Sequence, residues 1–206
     1  VNHLAHRIAT DAATHTVVPT HWEERLDGGF LASFTGVVHR LDGLHGHVHL
    51  IPHRRPSAVS SPPRVLVRRL KGDGVHDGNE IASFPKGALD GLAITLADEN
   101  KYDGEPWELD RELAAHDGVI TQSVTLASEA ALLGTPVLLI SSAERGFLNR
   151  LEQEGAPLFR WRGTGAEEEW LAVQAQFLAG LHLTDALDAA DWPDAKSQLS
   201  SWLHPR

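Results

Sequence analysis

The stretch that decides the fold is Asp117–Ser142, DGVITQSVTLASEAALLGTPVLLISS. A short apolar run, Gly118–Ile120, passes through the polar turn Thr121-Gln122-Ser123 into a helical segment carrying Glu129. Gly134 stops that helix, and after Thr135-Pro136 a second apolar run, Val137–Ile140, begins. Neither run alternates with polar residues, so both read as strands buried on two faces and therefore parallel, with the helix as their crossover. In such a unit the turn and the helix N-terminus sit at the carboxyl edge of the sheet. Their free N–H groups and the helix dipole favour a phosphate there. An acidic residue early in the helix, Glu129, is within reach of a ribose hydroxyl.

The pattern extends in both directions. Val65–Val67 is a buried strand followed by the Gly-rich loop Lys71–Gly78; a strand at Leu92–Leu96 and a helix at Trp107–Ala115 lead into the unit above. Beyond it come a helix at Glu144–Glu154 closed by Gly155, a strand at Leu158–Trp161 and a helix at Glu167–Leu181. That last helix is expected to bury Trp170, Leu171, Val173, Phe177, Leu178 and Leu181, with three glutamates favourably placed in its first turn. Strands alternating with helices over 64–182 indicate an α/β fold, a Rossmann-like, mostly parallel sheet flanked by helices. Upstream, residues 1–13 read as a helix, Thr16–Pro19 as a strand and Thr20 with Glu23 as a capping box. The Gly-, His- and Pro-rich segment 27–63 reads as a connection with short strands at Phe30–Phe34 and Val48–Ile51. Its end, Ser57–Pro63, is the clearest linker and marks a domain boundary. Residues 183–206 form a tail with an amphipathic helix over Asp194–Leu203.

Composition narrows the function. A net charge of −10 over 206 residues argues against duplex nucleic acid and anionic membrane surfaces as partners. A nucleotide remains compatible, because a few arginines and backbone amides hold a phosphate on an acidic protein. The absence of cysteine excludes disulfides, thiolate chemistry and cysteine-bound metal. No apolar run approaches the roughly 20 residues of a membrane span, and VNHLAHRIATDA has no signal-peptide pattern, so a cytoplasmic location is expected. The chain has no methionine and opens inside a helical pattern, so it is expected to be a piece of something longer.

The string Ser128–Ser141, SEAALLGTPVLLIS, after a helix ending at His116-Asp117, resembles the C-terminal half of GT-B type glycosyltransferases. More narrowly, it is similar to a glycosyltransferase-like family of archaeal and bacterial proteins of unassigned function, related to UDP-N-acetylglucosamine 2-epimerases. The family's Glu-Ala-Ala-Leu-Leu-Gly-Thr-Pro passage stands here as Glu129–Pro136. Pro19–Glu24, Phe34-Thr35-Gly36 and His49-Leu50 resemble its crossover from the first domain; Val65–Arg69 and Val75-His76-Asp77 resemble the strand and loop opening its second. The resemblance implies two facing Rossmann-like domains with a nucleotide-sugar, UDP-linked, in the cleft, and no other cofactor. Residues 1–26 would then be the tail of the first domain, 27–63 the crossover and linker, 64–182 the nucleotide-sugar-binding domain and 183–206 a helical tail. The remaining partners would be an unidentified acceptor and the missing N-terminal domain.

The resemblance also distributes roles. Glu129 would accept from the ribose diol; Gln122, Ser123 and Thr125 would meet the diphosphate, the Ser123 and Thr125 hydroxyls donating because Thr121-Gln122-Ser123 stands where the family usually has glycines. Arg68 and Arg69 end a strand where a guanidinium pairs with a diphosphate, and Asp98, Glu99 and Asn100 follow the next strand, where the base would lie. Each also has a plain structural reading: a helix cap, a solvated strand end, a polar turn. His21 and His76 are the candidates for a general base, although a lone histidine is more often structural. His45, His47 and His49 would share one face of a strand, but the glycine-broken DGLHGHVH has no acidic partner in register, so a solvated loop is expected there and no metal site. The leading reading is the nucleotide-sugar-binding half of a glycosyltransferase of surface polysaccharide or glycolipid assembly. Its alternatives are a sugar-nucleotide 2-epimerase and a non-catalytic domain with an eroded nucleotide site.

Overall fold

A computed structural model describes residues 3–27, 29–53, 55–56, 58–71, 82–98, 104–182 and 192–203. Helix α1 (His3–Ala12), β1 (His15–Pro19), the single turn α2 (Glu24–Asp27), β2 (Val37–Leu41) and a second single turn, α3 (Gly46–His49), make an N-terminal unit. The main unit follows: β3 (Arg64–Arg68), β4 (Ala93–Leu96), α4 (Leu109–Ala115), β5 (Gly118–Thr121), α5 (Val124–Leu132), β6 (Val137–Ile140), α6 (Gly146–Gln153), β7 (Leu158–Trp161) and α7 (Glu167–Gly180). Helix α8 (Ala195–Leu203) closes the described chain. Among the described residues no helix is long and apolar enough to cross a membrane.

The larger sheet is five-stranded and wholly parallel, in the order β4-β3-β5-β6-β7. This is an α/β, Rossmann-like fold. Its strands read as unbroken apolar runs because both faces are covered. Leu66, Val119, Val137, Leu139 and Leu158 pack with α4, α5 and α6; Val65, Val67, Ile120, Leu138, Ile140 and Trp161 pack with Trp170, Phe177 and Leu181 of α7 and its neighbourhood. In α7 the buried stripe is narrower than the six apolar positions suggest: Leu171 is 51% and Leu178 37% exposed, seven residues apart on a neighbouring stripe.

β1 and β2 form a separate parallel pair. The segment expected as strands differs. Leu31–Ser33 is a 3-10 turn, residues 46–49 are helical, and the strand lies between them at Val37–Leu41. Thr20 caps nothing; its hydroxyl donates to the Leu41 carbonyl at 2.8 Å and joins the ends of β1 and β2, while Asp27 accepts from the Glu23 amide. The chain's end returns to this unit: Gln198 accepts from the Asp42 amide (2.9 Å), donates to its carbonyl (3.3 Å), and Trp202 stacks on His39.

The two units are fastened at several points. Buried Asp110 of α4 accepts from the Ile51 amide (3.1 Å) and the Arg111 amide (2.8 Å) and lies 3.2 Å from His53 Nε2. Burial alone would raise its carboxyl above the usual range, but the two amides and His53 outweigh this and hold it below. A carboxyl lowered on folding contributes stability above its unfolded value of about 3.9, and loses it as pH falls through the lower folded value. Asp110→Asn is therefore expected to lower the urea midpoint at pH 7 and to flatten its decline below about pH 4. Denaturation curves from pH 2.5 to 7 check this; a variant with the parent's acid slope would remove Asp110 from the account.

Candidate functional site

Open parallel sheets place ligands at the carboxyl edge where strand order reverses. Here that point lies between β3 and β5, since the chain leaves β3 toward β4 on one side and returns to β5 on the other. Register sets Arg68, the last residue of β3, directly against Thr121, the last of β5. The turn that follows opens α5. Ser123 is its N-cap, its Oγ accepting from the Leu126 amide at 3.3 Å, and Thr121 Oγ1 accepts from the Ser123 amide at 2.9 Å. Val124 is half-buried and Thr125 exposed, so the first turn of α5 meets solvent beside half-buried Arg68.

Gln122 and Arg69, also expected at this edge, are engaged within the protein. The Gln122 side chain takes the Leu70 amide on Oε1 (2.9 Å) and donates from Nε2 to the Ala82 carbonyl (2.7 Å), tying the segments after β3 and before β4 to β5. Arg69 grips Asp98 through Nη2 (2.6 Å) and Nε (3.2 Å), and Asp98 also accepts from the Arg69 amide, so the ends of β3 and β4 are clamped. His76, Glu99 and Asn100 lie outside the described residues.

Glu129 stands elsewhere. It is 8% exposed, midway along α5, and its Oε1 lies 3.0 Å from His49 Nε2 of α3. His49 Nδ1 faces the His45 carbonyl at 3.1 Å, which can only accept. Crossover and helix touch closely along this line: a Cβ on Gly46 would meet Leu132 Cδ1 at 2.5 Å. His45 and His49, one turn apart, stack on one side of α3, whereas His47 turns toward Trp192. No group of three metal-ligating side chains occurs among the described residues.

Comparison of the chain with family models, with curated proteins and with solved structures gives a plain result. Nothing matches. The residues themselves carry whatever functional argument there is.

Sequence reasoning missed one feature. A cavity of about 730 Å³ lies on the opposite edge, where the carboxyl ends of β1 and β2 meet the far ends of α5 and α6. It includes His21, whose imidazole burial and the nearby Arg150 charge hold below the ordinary range, against the pull of Glu154, Asp27 and Glu23. Only the position of His21 just after an apolar strand hinted at this. The ends of α5 and α6 that face it lie more than a hundred residues downstream.

Proposed function

We propose that this chain is the nucleotide-sugar-binding half of a GT-B-like glycosyltransferase, holding a nucleoside diphosphate at the reversal point of the larger sheet. The observation that carries the reading is the Arg68–Thr121 register. Strands in register lie about 4.8 Å apart, so the backbone of Arg68, a permanently charged residue, lies beside the turn that opens α5. Dipole, amides and guanidinium together suit a leaving diphosphate without a metal. The resemblance of Glu129–Pro136 to the family's helix-to-strand passage supports the same helix. The N-terminal pair supports a larger first domain. Two parallel strands alone are marginal, and Val17 and Val37 are 41% and 50% exposed, as expected of a sheet that further strands and helices cover.

In this reading Ser123, Thr125 and the first amides of α5 receive the phosphates and Arg68 neutralises them. Glu129, which would hold the ribose in the resembling enzymes, is committed to His49 and serves the crossover. The engaged Gln122 and the Arg69–Asp98 clamp favour the second reading, an eroded site that only organises the fold.

Calorimetric titration with UDP, GDP, CMP and their sugars tests this. A nucleoside diphosphate is expected to bind, and Arg68→Ala to weaken it about tenfold, the cost of one charge-assisted contact. Glu129→Gln is expected to leave affinity within about twofold while lowering the melting temperature, since it loosens a tie to α3 and not a ligand contact. No binding across the panel at millimolar concentration would leave the eroded site.

A further inference from the structure

The cavity at the carboxyl ends of β1 and β2 has a mixed lining. Leu44, Leu132 and Leu151, all nearly fully buried, give it apolar walls, and half-buried Trp192 adds an indole. Beside them stand Thr20, Asp42, His47, Arg150 and Glu154; His21 also borders the space, but its Nε2 is closed off and takes no part. The Asp42 backbone is held at its amide and its carbonyl by Gln198 of α8. Its carboxylate makes no hydrogen bond or ion pair among the described residues. The Leu44 amide donates to His47 Nδ1 at 2.7 Å, so the ring proton sits on Nε2. Burial holds that imidazole below its ordinary value, against the pull of Glu154 and Asp42, so at pH 7 it is a neutral donor. Arg150 gives Nη2 to Glu154 at 2.6 Å, and both ends of this pair are about half-exposed, with N–H groups and a carboxylate oxygen left over. Gly43 lets the groups converge: its φ is +126°, and a Cβ there would meet His47 Nδ1 at 2.9 Å.

Such a lining selects among ligands. An organic cation would meet the Arg150 guanidinium and the N–H of His47. An anion would meet the Asp42 and Glu154 carboxylates. A hydrocarbon or a phenol would fill the apolar part and shut water away from polar groups that it does not satisfy. A hydroxyl both donates and accepts, so a ring carrying several suits donors and carboxylates set side by side. The C–H face of such a ring is apolar and packs on indole or leucine. We infer that this cavity is a saccharide site, taking a neutral pyranoside whose hydroxyls bond to Asp42, His47, Arg150 and Glu154 while its C–H face lies against Trp192 and the leucines. The volume of about 730 Å³ is within the range of small-ligand sites, which favour seams between structural units. The cavity lies at the carboxyl end of α5, a helix of nine residues, and so about 13 Å from the Ser123 turn. A sugar here is bound apart from any nucleotide at that turn, and the inference stands whether or not a nucleotide binds there.

The test titrates methyl glucoside, methyl galactoside and methyl mannoside into the whole chain, beside benzylamine, phenol and benzoate. Affinities are read by NMR from the His47 imidazole and Trp192 indole signals. At least one pyranoside is expected to bind with a millimolar dissociation constant, more tightly than the other three probes, while the Ser123 and Thr125 amide signals stay in place. Asp42→Ala, a change at an exposed residue, is expected to weaken that binding about tenfold, the worth of a hydrogen bond to a charged group. Should the variant not fold, the signals of the unaltered protein still locate the sugar. No pyranoside binding at tens of millimolar, tighter binding of benzylamine, phenol or benzoate at the same signals, an Asp42→Ala variant of unchanged affinity, or shifts at Ser123 in place of His47 would each overturn the assignment.

Discussion

Arg160→Ala is expected to lower the unfolding free energy by about 3 kcal/mol, a fall in melting temperature of about 6–12 °C for a chain of this size. Arg160 sits in β7, the edge strand against which α6 packs, and its side chain is 1% exposed. It donates to the Ala143 carbonyl (2.9 Å), Glu144 (2.8 Å), Asn149 (3.2 Å) and Glu152 (3.0 Å), so one guanidinium joins the loop after β6, two turns of α6 and the sheet. Removing it strands a buried carbonyl and opens a space the size of the side chain. The two carboxylates are more than a third exposed and rehydrate, which keeps the cost at the lower end of the range for broken buried pairs. Arg162→Ala is the control. Arg162 reaches the same Glu144 at 2.7 Å from a half-exposed position, and its loss should cost no more than about 1 kcal/mol. Burial pushes the Glu144 carboxyl up, but the two arginines outweigh it and hold it below its ordinary value. The contribution is therefore full above about pH 4.3 and fades as pH falls toward the lowered folded value, so parent and Arg160→Ala should converge in acid. Thermal melts of both variants at pH 7 and pH 3 decide it. Equal losses for Arg160→Ala and Arg162→Ala would show that burial of this charge matters little.

The contrast between β7 and α3 shows what the sequence makes legible. Val137–Ile140 is an apolar run and Leu158–Trp161 is apolar but for Arg160; both are bounded by turn residues, and each becomes a strand over those same residues. The solvated loop expected for His45, His47 and His49 is instead a helical turn over residues 46–49, where positions four apart share a face as they would on a strand. Only His47 separates the two periods, and it points to Trp192, 145 residues away in sequence. β2 escaped notice for a related reason. Of its five residues only Leu41 is buried, so no periodicity marks it.

The candidate site divides in the same way. That the turn after β5 opens α5 with a serine cap follows from local chemistry, and the structure has it. What Glu129, Gln122 and Arg69 touch does not follow, because their partners come from segments 80, 52 and 29 residues distant. A carboxylate on an otherwise apolar helix suits a ligand or a neighbouring segment equally well, and only the approach of α3 distinguishes them.

The linker argues most directly from one residue. A Ser- and Pro-rich stretch ahead of a strand suggests a free joint, yet Asp117, 3% exposed at the amino edge of β5, holds it in place. One oxygen, Oδ2, accepts from both the Ser60 amide (3.2 Å) and the Arg64 amide (2.7 Å). The Asp117 carbonyl accepts from Arg55 Nη2 at 3.0 Å, whose other terminal nitrogen reaches the Gly134 carbonyl at 2.9 Å. Asp117→Ala leaves two amides short of an acceptor beside the sheet, at a cost of about 3 kcal/mol. Because a single oxygen takes both amides, Asp117→Asn with its carbonyl in that place keeps both bonds at neutral strength and should cost only about 1 kcal/mol. Local and global effects separate by hydrogen exchange. Ser60 and Arg64 amides should exchange fastest in Asp117→Ala, while Val119 and Leu138 in the sheet keep most of their protection. If alanine and asparagine prove equally costly, the carboxylate's charge and not its geometry pins the linker; if neither costs anything, the units are held by their other ties, among them Asp110 on the Ile51 amide and Asp27 on the Gly146 amide.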